Sequence, residues 1–558
     1  MRNLLPFKMK KQIAKVRNYL NICTEPPEII SLNRVRDVLK GYRSMREGNN
    51  HKLLKNVRAQ FTNTKLKSRF VPFSKFILPL NDEVVELAYR QYLLLMLVGT
   101  RLNASVLAHL SNKKPIAFPL PDEWLEVLQC NEIKVSKSKS KLLFFLFALK
   151  HLIIAAVDFL KYCCANFTHQ FKKYKQDNSN FIYFFGLSPD SLPPEDGSFR
   201  YNIIEWYLSW DGREKDITEI RHSVDTARQC FYHKDVKIRK ASYLPKIEKT
   251  SDYFQFVLWG IGSLLISFFF LFVGRLKYAI LLREIQKEKI FSLADSTTIG
   301  KDYLNNNENM IYRPLWTYAA EQKGAKVTLY NWSAGFPDIK GPHGYPPTEI
   351  GQTSQNWPII LQWSKLYSDY LQSIISTKET VIKVVPPIYF SDSTQTKYHS
   401  NNPIIAVFDV TPQRKYFHDI LIPSVEYRTY LIGKQFLEEI YELARLNGFD
   451  IMWKRKRNFV ITNHSSAYIK FSEKFSKLPG VIEVDPRISA FQLVQQSVGV
   501  ISMPFTSTSL VAEAFNKPSV YYDPTLKLYK DDRGTQGLPL ILGKTELDQW
   551  FQSLKNKV

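Results

Sequence analysis

VGVISMPFTSTSLVAEAFNKPSVYYDPT, residues 498–525, is the stretch that decides how the chain is read. Residues 500–503 form a short apolar run with β-branched side chains, which reads as a buried strand, and Pro504 ends it. Phe505 and four small hydroxylated residues, Thr506, Ser507, Thr508 and Ser509, make a loop. Residues 510–515 start a helix that any of those hydroxyls can cap. Asn516, Lys517 and Pro518 close the helix, and residues 519–522 form the next strand. A helix N-terminus offers unpaired amides and the positive end of a dipole, and hydroxyls beside it add donors, so this order of elements makes a seat for phosphate. Glu513 stands one turn into the helix, where a carboxylate reaches a ribose diol. An ordinary βαβ unit with a capped helix gives the same order, so hydroxyl content alone does not separate the two readings.

The residue order goes further. A Ser/Thr loop, a helix carrying Glu, then Lys-Pro and a strand resembles the donor-nucleotide site of GT-B glycosyltransferases. More narrowly, MPFTSTSLVAEAFNKPSVYYDPT resembles bacterial surface-polysaccharide biosynthesis proteins, which are distantly similar to transferases of Kdo and sialic-acid type sugars. The specific match covers roughly the last 160 residues, and the rest matches in outline only. The resemblance implies an α/β, GT-B fold, with two Rossmann-like domains facing a cleft. One position departs from the pattern. Many retaining GT-B enzymes carry a second Glu eight residues before the ribose-binding one, and here that position is Phe505, which points to an inverting reaction.

The 558 residues suffice for two or three domains. With 45% hydrophobic and 14% aromatic residues, the chain is not a disordered one. Its formal net charge is +24, and residues 1–75 hold 18 Lys/Arg against 4 Asp/Glu. Such an excess suits a polyanionic partner, nucleic acid or an anionic membrane. The five cysteines, Cys23, Cys130, Cys163, Cys164 and Cys230, show no metal-type pairing and suit a reducing compartment. The first twenty residues lack the apolar core of a signal peptide, so the soluble parts are expected in the cytoplasm.

Two apolar segments, residues 142–165 and 254–273, decide between the polyanions in favour of the membrane and against nucleic acid. The first contains Lys150, His151 and Asp158, each costly at a bilayer centre. The second is long enough to span. Buried core helices are the alternative for both. Lysines and arginines flank both ends of both segments, so the positive-inside rule gives no direction of crossing. Helices or hairpins dipping into one leaflet, with anionic headgroups meeting the lysines, resolve this, at the cytoplasmic face of the bacterial inner membrane. Two true spans would strand the strand expected at residues 181–187 on the far side.

Elsewhere helices are expected at residues 53–61, 82–97, 122–129, 201–210, 313–323, 359–375, 433–447, 489–497 and 547–554. Strands are expected at 181–187, 325–331, 381–385, 404–408, 450–453 and 481–484, and residues 114–121 read as a short strand followed by a loop. This alternation is that of parallel sheets. The polar stretch 391–402 reads as a linker. It divides an N-terminal acceptor and membrane-associating domain (1–400) from a C-terminal nucleotide-sugar-binding domain (401–558).

In open α/β sheets ligands meet the C-terminal ends of strands. Those ends deliver Asp409 with Thr411 and Arg414, the run Lys454-Arg455-Lys456-Arg457, Asp485 with Arg487, and the hydroxyl loop. The expected donor-binding set is Thr506, Ser507, Thr508, Ser509, Glu513, Lys454, Arg457, Arg414 and Asp409. Cationic groups there stabilise charge developing on a leaving phosphate. A KRKR run is equally a solvated surface patch. The acceptor side needs one general base, and Asp190, Asp196, Glu205 and His222 follow the strand at 181–187; Asp190 lies nearest its end. The segment at residues 330–335, with His343 and Tyr345 beyond it, either lines the cleft or turns the chain. No P-loop, His-Glu-x-x-His or Asp-x-Asp metal signature occurs, so neither metal nor cofactor is expected. The expected activity is transfer of a sugar, a CMP-linked acidic one by resemblance, from a nucleotide donor to a lipid-linked or growing surface polysaccharide. A nucleotide-sugar epimerase of the same fold and a non-catalytic membrane-bound assembly protein are the rival readings.

Overall fold

The computed structural model describes residues 50–66, 73–170, 180–193, 203–225, 230–306, 310–388, 397–413, 429–459 and 464–557, apart from positions 332, 335–337, 349, 376, 378 and 487. Within them the chain opens with helices α1 (Asn50–Asn63), α2 (Ser74–Ile77), α3 (Asp82–Leu97), α4 (Thr100–Asn112), α5 (Asp122–Cys130) and α6 (Lys137–Gln170). Then follow β1 (Phe181–Phe184), α7 (Ile203–Ser209), β2 (Glu219–His222), β3 (Cys230–His233), β4 (Val236–Lys240), α8 (Thr250–Phe272) and α9 (Lys277–Leu293). The first sheet is completed by β5 (Asp302–Asn306), α10 (Trp316–Gln322), β6 (Lys326–Tyr330), α11 (Ile350–Thr353), β7 (Ile359–Gln362), α12 (Lys365–Ile374) and β8 (Val381–Val384). The second comprises β9 (Ile404–Phe408), α13 (Tyr430–Leu446), β10 (Asp450–Lys454), α14 (Ser466–Phe475), β11 (Val481–Val484) and α15 (Ala490–Gln496). It ends with β12 (Gly499–Ser502), α16 (Ser507–Ala514), β13 (Ser519–Asp523), β14 (Leu540–Leu542) and α17 (Gly543–Lys555).

Both sheets wind alike. The first runs β3-β4-β2-β1-β5-β6-β7-β8 and the second β11-β10-β9-β12-β13-β14. Every pair is parallel except β3 with β4, which closes one edge. Each sheet starts at its middle, grows to one side, then returns to grow on the other. That is the doubly wound order, with a crevice where the direction reverses: between β1 and β5 in the first sheet and between β9 and β12 in the second. The central strands β1 and β9 are buried throughout, as expected for strands covered on both faces.

The two sheets meet through their C-terminal strand ends. The Ala334 amide, beyond β6, donates to Ser507 Oγ, beyond β12, at 3.0 Å. Gln536, beyond β13, donates to Ala334 O and accepts from Ser364 Oγ, beyond β7. Two Rossmann-type sheets facing each other in this way are the GT-B arrangement. The break between them falls between Val384 and Ile404.

The apolar segments are not isolated insertions. They belong to a helical unit with its own core, in which Leu54, Phe61, Leu93, Trp124, Ala148 and Ile280 are buried together. Helix α6 runs 34 residues without a Gly or Pro to interrupt it. It lies antiparallel to α8, because Phe145 meets Phe272, Phe159 meets Phe256 and Phe167 meets Tyr253. A side-chain atom on Gly260 would fall 2.0 Å from the Phe159 ring, so that ring packs directly on the backbone of α8. Gly274 (φ +76°) ends α8 with the Arg275 amide bonded to Phe270 O and its own to Leu271 O, a Schellman cap. Helix α9 then returns against α6, its Arg283 bonded to Asp158 at 2.7 Å.

By length and composition, residues Lys137–Thr168 and Thr250–Phe272 could each cross a membrane. Each is instead buried on one side only. On α6 the exposed apolar side chains are Leu142, Leu146, Ile153, Val157, Leu160 and Phe167. On α8 they are Phe254, Leu258, Ile261, Leu265, Phe268, Phe269 and Phe272. In both series each residue has a fellow three, four or seven places away, the spacing of one helix face.

Two expectations fail. Residues 359–375 are not one helix: Ile359–Gln362 is strand β7, and Ser364 caps α12 by accepting from the Tyr367 amide at 3.2 Å. The short strand expected at the start of residues 114–121 is reduced to a single bridge between Ile116 and Val135. The one polar residue on the apolar face of α3, Gln91, donates to Asn356 Oδ1 at 2.9 Å and ties the helical unit to the first sheet.

Candidate functional site

The crevice of the second sheet opens where β9 and β12 diverge. Beyond β12 the chain turns at Pro504 and at Phe505, which adopts the left-handed region (φ +61°). That geometry is strained for a bulky residue and is held by packing. The Phe505 ring lies edge-on to Tyr521 at 5.7 Å and presses on Gly534, where an added Cβ would fall 2.8 Å from it. Phe505 therefore faces inward.

Thr506 stands at the N-cap of α16 without capping it, because its hydroxyl donates to Met503 O at 2.8 Å. The first-turn amides of α16 thus receive no side-chain cap. Thr508 pairs with Ser502 Oγ at 2.7 Å and Thr506 Oγ1 at 3.3 Å. Thr506, Ser507 and Thr508 are half-buried and Glu513 is exposed. Ser509 differs from the other three. It is fully buried, donates to Val520 O at 3.4 Å, and its carbonyl accepts from Ser519 Oγ at 3.2 Å. It joins α16 to β13 and does not face a ligand.

The strand ends beside the loop divide in the same way. Asp409 is buried, and its carboxylate accepts from the Thr411 amide at 2.8 Å, from Trp453 Nε1 at 2.9 Å and from the Tyr468 hydroxyl. Burial pushes its carboxyl above the usual range, and the hydrogen bonds pull it back. Asp409 organises the left-handed turn at Thr411 (φ +52°), whose hydroxyl accepts from the Arg457 amide at 3.1 Å. It positions the basic segment rather than binding a ligand, which corrects the expectation. Arg455 is taken up by Glu483 at 2.7 Å and lies over the Phe459 ring. Lys454 is half-buried at the end of β10 and the Arg457 side chain is exposed. Arg414 and Arg487 lie outside the described residues.

In the first sheet the crevice lies between β1 and β5. Gly186 (φ +71°) meets Asn306 there, and an added Cβ would fall 2.0 Å from Asn306 Nδ2. Asp190 follows on a short turn, Pro189–Ser191. The other candidate bases are engaged elsewhere. Glu205 accepts from His233 Nε2 at 2.8 Å and from Lys234, stapling α7 to the β3–β4 hairpin. His222 is buried, and its Nδ1 accepts from the Val224 amide at 3.2 Å. Its proton therefore sits on Nε2, and burial with Lys240 nearby lowers its pKa to about 4. That is not the geometry of a general base. Asp196 lies outside the described residues.

Of the seam between the sheets, residues 330–335, Tyr345 and Ser507 stood out in the sequence; Asp532, Arg533 and Gln536 did not. Arg533 is sandwiched between the rings of Tyr345 and Tyr370 at 3.9 and 4.0 Å, and its amide donates to Tyr345 Oη at 2.6 Å. Asp532 accepts from the Lys340 amide at 2.7 Å. Buried Asp338 pairs with Lys55 at 3.2 Å and faces Arg533 at 3.8 Å. The signal for it was the polar run Asp531-Asp532-Arg533-Gly534-Thr535-Gln536 between two apolar strands. Among the described residues no group of three or more His, Cys, Asp or Glu could hold a metal ion.

The sequence model of the family described as polysaccharide biosynthesis PFTS motif protein matches residues 263–551, just over half of the chain. The chain belongs to that family. The four letters P-F-T-S stand at Pro504, Phe505, Thr506 and Ser507, the turn that delivers the hydroxyl loop to the crevice. No curated protein matches the chain. Among solved structures, it is similar to an alpha,alpha-trehalose 6-phosphate synthase from Burkholderia multivorans, with 10% identity and a TM-score of 0.34 over 68% of this chain and 88% of that one. It is also similar to Anabaena HepE in complex with UDP and glucose, with 10% identity and a TM-score of 0.32 over 67% and 89%. A third is the lipopolysaccharide outer core galactosyltransferase WaaB, with 10% identity and a TM-score of 0.29 over 67% and 89%. The fold assignment of this PFTS motif protein rests on its own two strand orders.

Proposed function

We propose that this protein is a glycosyltransferase that moves a sugar from a nucleotide-activated donor to a growing or lipid-linked surface polysaccharide. The observation that carries the reading is the first turn of α16. Its amides are left without a side-chain cap at the crevice of a doubly wound sheet, with two hydroxyls beside them and Glu513 one turn on. In this reading Thr506, Thr508 and the helix amides hold the donor phosphate, and Glu513 the ribose. Lys454, Arg457 and Arg414 take up the negative charge that grows on the phosphate as it leaves. Asp190, on the turn after β1, removes the proton of the acceptor hydroxyl while that oxygen attacks the sugar's anomeric carbon. One such displacement inverts the anomeric centre, in keeping with Phe505 at the place of a second carboxylate, and needs no metal. A CMP-linked acidic sugar is the donor favoured by the resemblance.

The test is thermal denaturation of the full chain with CMP, UDP or GDP. Stabilisation by one nucleotide, growing with its concentration as RT ln(1 + [L]/Kd), is expected. No response to any of the three sinks the proposal.

A further inference from the structure

The outer face shared by α6 and α8 has no cover within the described residues. Leu160, Leu258, Leu265 and Phe272 are between 63 and 71% exposed. The two stripes lie on one side of the pair. Counting about 100° per residue, the α6 stripe sits about a third of a turn from Phe159, which meets α8; the α8 stripe sits about a third of a turn from Gly260 and nearly opposite Phe256, which meet α6. Both offsets run in the same sense along their own chain, and because the helices are antiparallel they turn the two stripes toward the same side of the pair. Phe76 extends the face, held by Trp259 Nε1 donating to its carbonyl at 2.9 Å. Residues 142–167 of α6 alone cover about 38 Å at 1.5 Å per residue. A continuous apolar ledge of that length is not the scatter of single hydrophobics found on soluble proteins.

What lies behind the ledge decides how it is used. Helix α9 packs along the opposite side of α6, with Arg283 on Asp158 and Gln286 Nε2 donating to Ala155 O at 3.0 Å. It carries Lys277, Arg283, Glu284, Lys287, Glu288 and Lys289. If α6 crossed a bilayer, α9 would be drawn in with it, at a prohibitive cost for so many ionisable groups. The border of the ledge also selects its partner. Lys139, Lys150 and Lys161 lie at its edge on the helix wheel of α6, and Arg275 stands at the tip of α8. In a chain of net charge +24 these repel a second copy and attract anionic headgroups.

We propose that α6 and α8 lie in the plane of the membrane, the ledge sunk to the headgroup–acyl boundary of one anionic leaflet, without crossing it. This stands apart from the transfer reaction, and a chain inactive as a transferase would still bind.

The test is flotation of the purified full chain with vesicles. Capture by phosphatidylglycerol-rich vesicles well above that by pure phosphatidylcholine is expected. High salt should weaken capture without abolishing it, since apolar burial persists when charges are screened. Leu258→Glu with Leu265→Glu should lower capture more than about tenfold at an unchanged melting temperature, because both residues are exposed. Leu265→Trp reports depth: lipids brominated near the headgroup should quench it more than lipids brominated at the chain end. Stronger quenching by the chain-end bromines overturns in-plane seating. Failure of the parent to bind anionic vesicles overturns the proposal, as does a dimer that Leu258→Glu dissolves without any vesicle binding.

Discussion

Ser507 Oγ accepts the amide of Ala334 at 3.0 Å, so the last residue of the PFTS motif is where one sheet touches the other. Ala334 is fully buried, and Gln536 occupies its carbonyl. Ser507→Ala therefore strands a buried donor, which costs roughly 1–3 kcal/mol. The expected result is a lower denaturation midpoint in urea at an unchanged slope. Ser507→Thr, which keeps the acceptor, should recover most of the loss.

Glu513 and Ser509 make opposite predictions from the same helix. Glu513 is exposed, so Glu513→Gln should leave the melting temperature in place. In the proposed site it should weaken nucleotide binding by roughly ten- to a hundredfold, the value of a hydrogen bond to a charged group. Ser509 is buried and bonded to β13, so Ser509→Ala should lower stability by about 1 kcal/mol and leave nucleotide affinity alone. Calorimetric titration beside thermal melts reads both. If Glu513→Gln binds nucleotide as the parent does, the ribose assignment is wrong.

Why the sequence revealed some of this and hid the rest follows from how local each signal is. Helix α3 carries its own punctuation: Asn81 accepts from the Glu83 amide at 3.0 Å, and an apolar face follows. Strand β9 reads as five apolar residues between Asn402-Pro403 and Asp409. Such elements are legible because their own residues determine them. Strand β5, Asp302-Tyr303-Leu304-Asn305-Asn306, is not, because three of its five residues are polar yet all are buried. Asp302 is satisfied from the neighbouring strand, Thr328 donating to it at 3.0 Å, and Asn305 Nδ2 donates to Tyr303 O at 3.2 Å. The hydroxyl loop was legible as a group, but the division of labour within it was not. Only tertiary structure shows that Ser509 and Asp409 spend their hydrogen bonds inside the protein.

Asp302 gives a prediction in pH. Full burial raises its carboxyl from the ordinary aspartate range to about 7, opposed by the Thr328 hydroxyl. The folded state therefore holds a proton that the unfolded chain releases near the ordinary value. This contribution to stability is fully present below about pH 4 and is lost as pH rises through about 7. Asp302→Asn keeps an acceptor for Thr328 and removes the titration. Urea midpoints of parent and variant should differ little at low pH and diverge in favour of the variant at pH 8. A constant difference across that range would show that Asp302 is not protonated in the native state.

Gly186 and Asn306 sit where the first sheet reverses its winding, and they allow a prediction with an internal control. Gly186 has φ +71°, and an added Cβ would overlap Asn306 Nδ2. Gly186→Ala carries two penalties: the left-handed conformation, about 1–2 kcal/mol for a residue with a Cβ, and the collision. Asn306→Ala removes the collision but not the conformation. The double variant should therefore be less destabilised than the sum of the two single ones, with a coupling of about 1 kcal/mol or more. Additive losses in a double-mutant cycle would mean that the carboxamide swings aside at no cost and that the two residues do not fix the end of the β1–β5 crevice.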